Sequence, residues 1–170
     1  MEAPSPKKII WQLSTRILHW CVAVPTLANY LLEGGEKPHE WAGYAAALFV
    51  GLRLLRGLVC GDHAHFRHFP LHPRSVVEHL LHITERHRPT VGHNPLASWV
   101  YLFMWSTLIA LAVTGFMMGM DAYWGEEWLE NLHEDIATGL QVLIALHFLG
   151  LAYDSWRFKR KTWLAMFTGR

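Results

Sequence analysis

Four long apolar runs constrain the fold of this 170-residue chain more than any other feature. They lie at residues 17–32, 41–60, 96–120 and 132–153. Each is close to the roughly 20 residues that a helix needs to cross a bilayer, provided that the first helix begins near residue 13. Hydrocarbon offers the backbone no hydrogen-bond partners, so separate runs of this kind must form helices. The sequence therefore predicts an all-α integral membrane protein, a four-helix bundle that forms a single domain over residues 1–170. The predicted helices span about residues 13–32, 39–60, 96–120 and 132–153, with a histidine-rich connection at residues 61–95.

The basic residues predict how the chain is oriented. If the N-terminus, the 61–95 connection and the C-terminal tail share one side, that side holds fourteen of the fifteen Lys and Arg residues, all except Lys37. Positive charge is concentrated on the cytoplasmic side of membrane proteins. Both termini of this multi-pass protein are therefore predicted to be cytoplasmic.

The two short loops on the opposite face are acidic. Their acidic residues are Glu33, Glu36, Glu40, Asp121, Glu126, Glu127, Glu130, Glu134 and Asp135. A surface of this charge favours a cationic partner, because complementary charge speeds association.

Two histidines mark the last apolar run. His133 and His147 are fourteen residues apart, which brings both to one face of a helix and separates them by roughly 21 Å along its axis. A single histidine on an apolar helix is more often a packing residue than a ligand. Ionisable side chains within a membrane are costly and usually functional. Two histidines on one face of the helix therefore indicate two sites, one near each side of the membrane.

Depth in the membrane predicts the partners of these two histidines. The first and third helices run outward, and the second and fourth run inward. His19 then lies level with His147 near the cytoplasmic side, and His39 lies level with His133 near the outer side. Zinc takes four protein ligands, or three and a water, whereas two facing histidines suit the fifth and sixth ligands of a haem iron. The sequence therefore predicts two haem b groups, which are non-covalent because the chain lacks a C-x-x-C-H motif.

Three arginines near the predicted cytoplasmic boundary are candidates for binding the haem propionates. Arg16 lies one turn before His19, and Arg53 and Arg56 lie near the end of the second helix. Ordinary boundary residues of the positive-inside type explain the same three positions equally well. Both interpretations stay open at this point.

Several motifs in combination resemble the bacterial cytochrome b561 family, which includes the b-type cytochrome subunit of membrane nickel–iron hydrogenases. The motifs are Arg16-x-x-His19-Trp20, His39 before a Gly- and Ala-rich helix ending Arg53-x-x-Arg56-Gly57, Gly92-His93-Asn94-Pro95-Leu96, and His133-Glu134 with His147 fourteen residues on. The resemblance covers nearly the whole chain.

The resemblance implies two b haems held by His19, His39, His133 and His147, and electron transfer between a periplasmic partner and quinone. The expected partners are membrane lipid, quinone, and a periplasmic c-type cytochrome or hydrogenase-like protein. No nucleic-acid partner is expected, and an oligomer is compatible with the pattern.

The quinone site has two candidate residues. His93 and Asn94 lie at the cytoplasmic start of the third helix, near the expected depth of the inner haem. Asn94-Pro95 is equally typical of a residue pair that simply begins a helix.

Two rival functions are compatible with the sequence. The spacing His63-x-His65-x-x-His68-x-x-x-His72 could bind a transition metal, although a solvated, pH-sensitive surface loop also explains it. Alternatively, the chain could be an oxidoreductase in its own right, passing electrons from superoxide or another small molecule to quinone. The acidic outer loops would repel an anion such as superoxide.

Overall fold

The computed structural model describes residues 10–32, 34–61, 65–81 and 94–169. Regular structure in these ranges is helical throughout, which confirms the all-α prediction for them. The α-helices are α1 (Leu13–Asn29), α2 (Lys37–Val59), α3 (Pro73–Leu81), α4 (Pro95–Met118), α5 (Glu127–Phe158) and α6 (Ala165–Thr168). Single 3₁₀ turns lie at Phe66–His68, Asp121–Tyr123 and Thr162–Leu164.

Among the described helices, α2, α4 and α5 are long and apolar enough to cross a membrane. Helix α1 contains 17 residues. Large apolar side chains on these helices point away from the protein: Leu48 is 61% exposed and Phe148 is 56% exposed. Contact between such apolar surfaces and lipid costs no free energy, whereas contact with water is unfavourable.

Helix α5 is longer than the sequence predicted. It begins at Glu127 and ends at Phe158, five residues beyond each end of the predicted 132–153 span. The prediction followed the apolar run, but polar residues continue the helix past it. Glu127 and Glu130 lie in the first turn, where negative charge stabilises the helix dipole. Leu129 in the same turn is fully buried, so the added turn packs against the protein.

The long helices pack in sequence, α1 on α2, α2 on α4, and α4 on α5. Their shared core consists of Ala46 and Val50 from α2, Leu108 from α4, and Leu140 from α5. Leu140 lies midway between His133 and His147, seven residues from each. The core therefore separates two levels of the bundle, each of which holds one histidine of α5.

Aromatic contacts fix the chain that leaves α2. Phe66 and Phe69 face Trp105 of α4, with ring centres 5.9 and 6.1 Å away. The guanidinium of Arg53 lies 5.1 Å from the centre of the Trp105 ring, within range of a cation–π contact. Phe66, Phe69 and Trp105 form what we call the aromatic cluster. It attaches the connection to both α2 and α4.

Residues 162–169, the return segment, fold back from the end of α5 onto the start of α1. The hydrogen bonds run from Trp20 Nε1 to Met166 O (3.2 Å), from Arg16 Nη1 to Phe167 O, and from Ile10 N and Trp11 N to Gly169 O (2.8 and 3.1 Å). The Trp20 and Phe167 rings also touch, with centres 4.7 Å apart. The return segment therefore holds α1 in the turns that surround His19.

Asp154 fixes the beginning of the return segment. Its two carboxylate oxygens accept hydrogen bonds from Arg160 Nε and Nη2, each at 2.8 Å, and one oxygen also accepts from the Thr162 hydroxyl. A bidentate arginine–carboxylate pair sets direction as well as strength. Asp154 thereby directs the chain from the end of α5 toward α1.

Candidate cofactor site

Four histidines form two pairs, one on each side of the core. His19 of α1 faces His147 of α5, with ring centres 6.5 Å apart and ring planes tilted by 49°. His39 of α2 faces His133 of α5, with ring centres 6.3 Å apart and a tilt of 56°. These are the same two pairs that the depth argument gave, and we refer to them as the 19/147 pair and the 39/133 pair. Their role as ligands stays a prediction.

The spacing within each pair fits one metal ion between two imidazoles. An imidazole nitrogen lies about 1.1 Å from the ring centre, so nitrogens that face each other across these gaps would be about 4 Å apart. That distance is too long for a hydrogen bond and is twice a metal–nitrogen bond of about 2 Å. Each pair would thus supply two imidazole nitrogens to one metal ion, as b-type haem proteins do. The donor set therefore fits haem.

A cavity of about 870 Å³ opens at the 39/133 pair. Both histidines line it, together with small residues such as Gly43, Gly115 and Ala137 that keep its walls flat. Its size lies within the range of cofactor pockets, roughly 300–1,000 Å³. The described lining includes three carboxylates, Glu40, Glu130 and Glu134, and no lysine or arginine. The cavity can therefore accommodate a flat cofactor, and its polar rim is acidic.

Thr114 of α4 is the polar neighbour of His133. Its Oγ1 lies 2.8 Å from His133 Nδ1. The backbone of α4 comes close at this point, because a Cβ on Gly115 would lie 3.5 Å from Cε1 of His133. Sequence reasoning missed Thr114, although the depth argument places the outer end of α4 level with His133.

Aromatic rings surround the 19/147 pair. Tyr101 of α4 meets His147 edge to face, with ring centres 5.7 Å apart, and Trp20 meets His19 in the same manner at 5.3 Å. Trp20 is also hydrogen-bonded to the return segment. Tyr101 was likewise missed by sequence reasoning. The rings restrict how far either imidazole can rotate.

The three predicted propionate partners have other contacts. The Arg16 guanidinium donates to the Phe167 carbonyl of the return segment. Arg53 is 7% exposed and contacts the aromatic cluster. Arg56 joins α2 to the start of α1, since its Nε donates to Thr15 Oγ1 at 3.2 Å and its Nη2 to Gln12 Oε1 at 3.0 Å. A structural contact is thus found for each, and binding to propionates stays a prediction.

The predicted quinone residues are only partly described. His93 lies outside the described residues. Asn94 is the N-cap of α4, where its Oδ1 accepts a hydrogen bond from Ala97 N at 2.7 Å. This capping contact accounts for Asn94 without a quinone, whose site stays a prediction.

The histidine-rich connection shows no metal centre in its described part. His65 and His72 each accept a hydrogen bond from a backbone N–H two residues on, which is a local turn contact. His63 lies outside the described residues. Throughout the described ranges, no group of three or more His, Cys, Asp or Glu side chains is arranged to hold a metal ion.

The apolar helices and the paired histidines are compatible with a membrane-bound b-type cytochrome. A family model described as prokaryotic cytochrome b561 matches residues 10–169, and the chain belongs to that family. Comparison with curated proteins and with solved structures yields no significant match. The resemblance seen in the sequence motifs is thereby confirmed for the family. Membership implies a membrane protein that transfers electrons across the bilayer with b-type haem.

Proposed function

We propose that the chain carries electrons across the bacterial inner membrane through two haem b groups, between a periplasmic redox protein and the quinone pool. His19 and His147 would hold one haem, and His39 and His133 would hold the other. The observation that carries this proposal is the pair of ring distances, 6.5 and 6.3 Å, at two levels of the same bundle. Fourteen residues of continuous helix between His133 and His147 correspond to roughly 21 Å.

The residues around each pair support a redox role more than a catalytic one. Haem, when bound, supplies reversible one-electron transfer at its iron. The two histidines of each pair would hold the haem between α5 and a second helix. The core residues Val50, Leu108 and Leu140 are apolar and buried between the two levels. An apolar medium between two fixed sites suits electron transfer.

The proposed topology has four membrane-spanning helices and both termini in the cytoplasm. Helix α1, with 17 residues, lies at the lower limit of the lengths that span a bilayer. The charge asymmetry of the loops supports the orientation, since Lys37 is the one basic residue assigned to the periplasmic side. The 39/133 pair would then lie near the periplasm and the 19/147 pair near the cytoplasm.

A basic c-type cytochrome is the proposed periplasmic partner. Glu130 and Glu134 line the cavity at the 39/133 pair, and so does Glu40, whose carboxylate is paired with Lys37. An incoming partner therefore meets net negative charge where electrons would enter or leave. A hydrogenase-type partner belongs to the same proposal as a second possibility. Superoxide is disfavoured, because the same carboxylates would repel an anion.

The proposed quinone site lies at the cytoplasmic level, beside the 19/147 pair. Quinone reaches this level from the lipid, and α1, which carries His19, exposes apolar side chains such as Ile17 and Val24 there. His93 and Asn94 remain the proposed polar contacts. Replacing each by alanine and measuring quinol oxidation or quinone reduction would test them.

A visible spectrum tests the central proposal. The detergent-purified protein, loaded with haem, is measured oxidised and dithionite-reduced, and haem is counted as the pyridine haemochrome. The expected result is two b haems per chain with the sharp reduced bands of six-coordinate iron. One haem per chain would remove one of the two pairs from the proposal. No haem in a folded, fully loaded preparation would overturn it.

A further inference from the structure

We propose that Thr114 is a positioning residue that sets the tautomer of His133 and lowers the reduction potential of the haem at the 39/133 pair. The inference rests on the proposed function, because it takes His133 to be an axial ligand. It concerns a hydroxyl that touches the ligand rather than the iron. Such partners orient metal-binding histidines and tune the metal.

The backbone hydrogen bonds of Thr114 favour His133 as the donor between the two side chains. The Thr114 side chain is buried, and its Oγ1 lies 2.9 Å from the Ala110 carbonyl oxygen and 3.2 Å from that of Leu111. The hydroxyl has a single hydrogen, which these carbonyls accept. Its lone pairs therefore face His133 Nδ1, 2.8 Å away, and accept a hydrogen bond from Nδ1–H. The His133 lone pair is then on Nε2, the nitrogen available to a metal.

His39 and His133 differ in the hydrogen bonding of their Nδ1 atoms. Within the part of the chain that the structure describes, Nδ1 of His39 is buried without a hydrogen-bond partner. Nδ1 of His133 instead faces the Thr114 hydroxyl. Helix α4 runs close to His133 here, since a Cβ on the neighbouring Gly115 would be in van der Waals contact with the imidazole at 3.5 Å. Thr114 is thus the side chain through which α4 can act on the 39/133 site.

The direction of the effect follows from charge. An imidazole that donates Nδ1–H to an oxygen is a more basic ligand, and a more basic ligand favours the more highly charged ferric iron. Removing the acceptor should therefore weaken ferric binding more than ferrous binding. Loss of such a partner usually changes metal affinity by about tenfold or more. If ferric affinity falls tenfold more than ferrous affinity, the one-electron potential rises by about 59 mV.

The experiment is an anaerobic optical redox titration of the full-length, haem-loaded protein. Thr114→Val removes the hydroxyl at nearly constant volume, and Thr114→Ser keeps it. Thr107→Val is the matched control, because Thr107 lies two turns earlier on α4 and its hydroxyl bonds only the backbone oxygens of Phe103 and Met104 among described residues. The haem at the 19/147 pair serves as an internal reference in every sample.

The expected result is a rise of about 59 mV at the 39/133 haem in Thr114→Val, with a normal potential in Thr114→Ser and Thr107→Val. The other haem should not shift, and two haems per chain should remain. An unchanged potential in a fully loaded Thr114→Val protein would overturn the inference and leave the proposed function standing. Equal shifts of both haems would also overturn it, since they would indicate a general loosening. A wild-type protein without a haem at the 39/133 pair would instead refute the proposed function.

Discussion

Gly57 of α2 and Phe66 of the connection are in direct contact, so closely that a Cβ on Gly57 would lie 2.6 Å from Cζ of the Phe66 ring. Real Cβ atoms do not approach other atoms at that distance. The ring in turn packs on Phe69 and Trp105. A glycine within a helix costs stability, and Gly57, in the last turn of α2, makes room for the aromatic cluster.

Gly57→Ala should therefore destabilise the protein. The added methyl group would push Phe66 off α2 and disturb its contacts with Trp105 and Arg53, which we expect to cost about 1–3 kcal/mol. Thermal unfolding of the detergent-solubilised protein, followed by far-UV circular dichroism, measures the change.

Gly51→Ala is the matched control for this prediction. Gly51 lies on the same helix, and a Cβ there would meet no atom within 4 Å. Alanine favours a helix over glycine by about 0.5–1 kcal/mol, so Gly51→Ala should leave the midpoint unchanged or raise it. Equal losses in both variants would show that the Phe66 contact does not determine the effect.

Replacing the histidines should remove the haems one at a time. His39→Ala and His133→Ala should each abolish the haem of the 39/133 pair, whereas His19→Ala and His147→Ala should each abolish the other. Each variant should keep one haem per chain, because the core lies between the two levels. Haemochrome quantitation together with redox titration measures both the number and the identity of the haem that remains.

His79→Ala is the control for the histidine variants, since His79 lies on α3, which carries no member of either pair. It should retain two haems. Loss of both haems from every one of the four core variants, in protein that elutes as a folded species, would argue against two independent sites.

Asp154→Asn should loosen the return segment. The carboxylate is 18% exposed and Arg160 is 39% exposed, so solvent screens the pair, and we expect a loss of about 1 kcal/mol. Opening of the segment should then rise about fivefold. Hydrogen–deuterium exchange at the backbone amides of residues 165–169 measures this opening. Asp135→Asn is the control, because Asp135 is exposed on the same helix, and it should leave the exchange unchanged. Unaltered exchange in Asp154→Asn would show that the segment is held by its α1 contacts alone.

Neutralising the acidic face should slow reaction with a basic c-type cytochrome. Asp121, Glu126 and Glu127 are exposed on that face, and replacing all three by amides should lower the bimolecular rate constant about tenfold at low ionic strength. Stopped-flow kinetics at several salt concentrations measures the change. The salt dependence should weaken in the triple variant and stay normal in Glu78→Gln, a change on α3. A rate that does not respond to salt in the wild type would argue against an electrostatically guided partner.

The helices and the histidine pairs were accessible to sequence reasoning for a physical reason. A bilayer imposes its length on each helix separately, so apolar runs predict α2 and α4 without knowledge of their neighbours. Depth then follows from counting residues, which is enough to match His19 with His147. The family assignment came from the same positions and is confirmed by the match over residues 10–169.

Contacts that depend on the rotation of a helix about its own axis could not be predicted from the sequence. Helix α4 is apolar on all its faces, so no periodicity tells which side meets α5. Thr114 and Tyr101 therefore could be placed at the right depth but not against His133 and His147. The extra turn of α5 was missed because Glu127 and Glu130 lie outside the apolar run that defined the predicted helix.

The hydrogen bond between Trp20 and Met166 joins positions 146 residues apart. Helix α1 emerges early from the ribosome, but its contacts with the return segment cannot form until residues 166–169 have been synthesised. During translation, the part of α1 around His19 lacks the partners that later hold it. If the 19/147 pair holds a haem, as we propose, the α1 side of that site is fixed only when the return segment has formed.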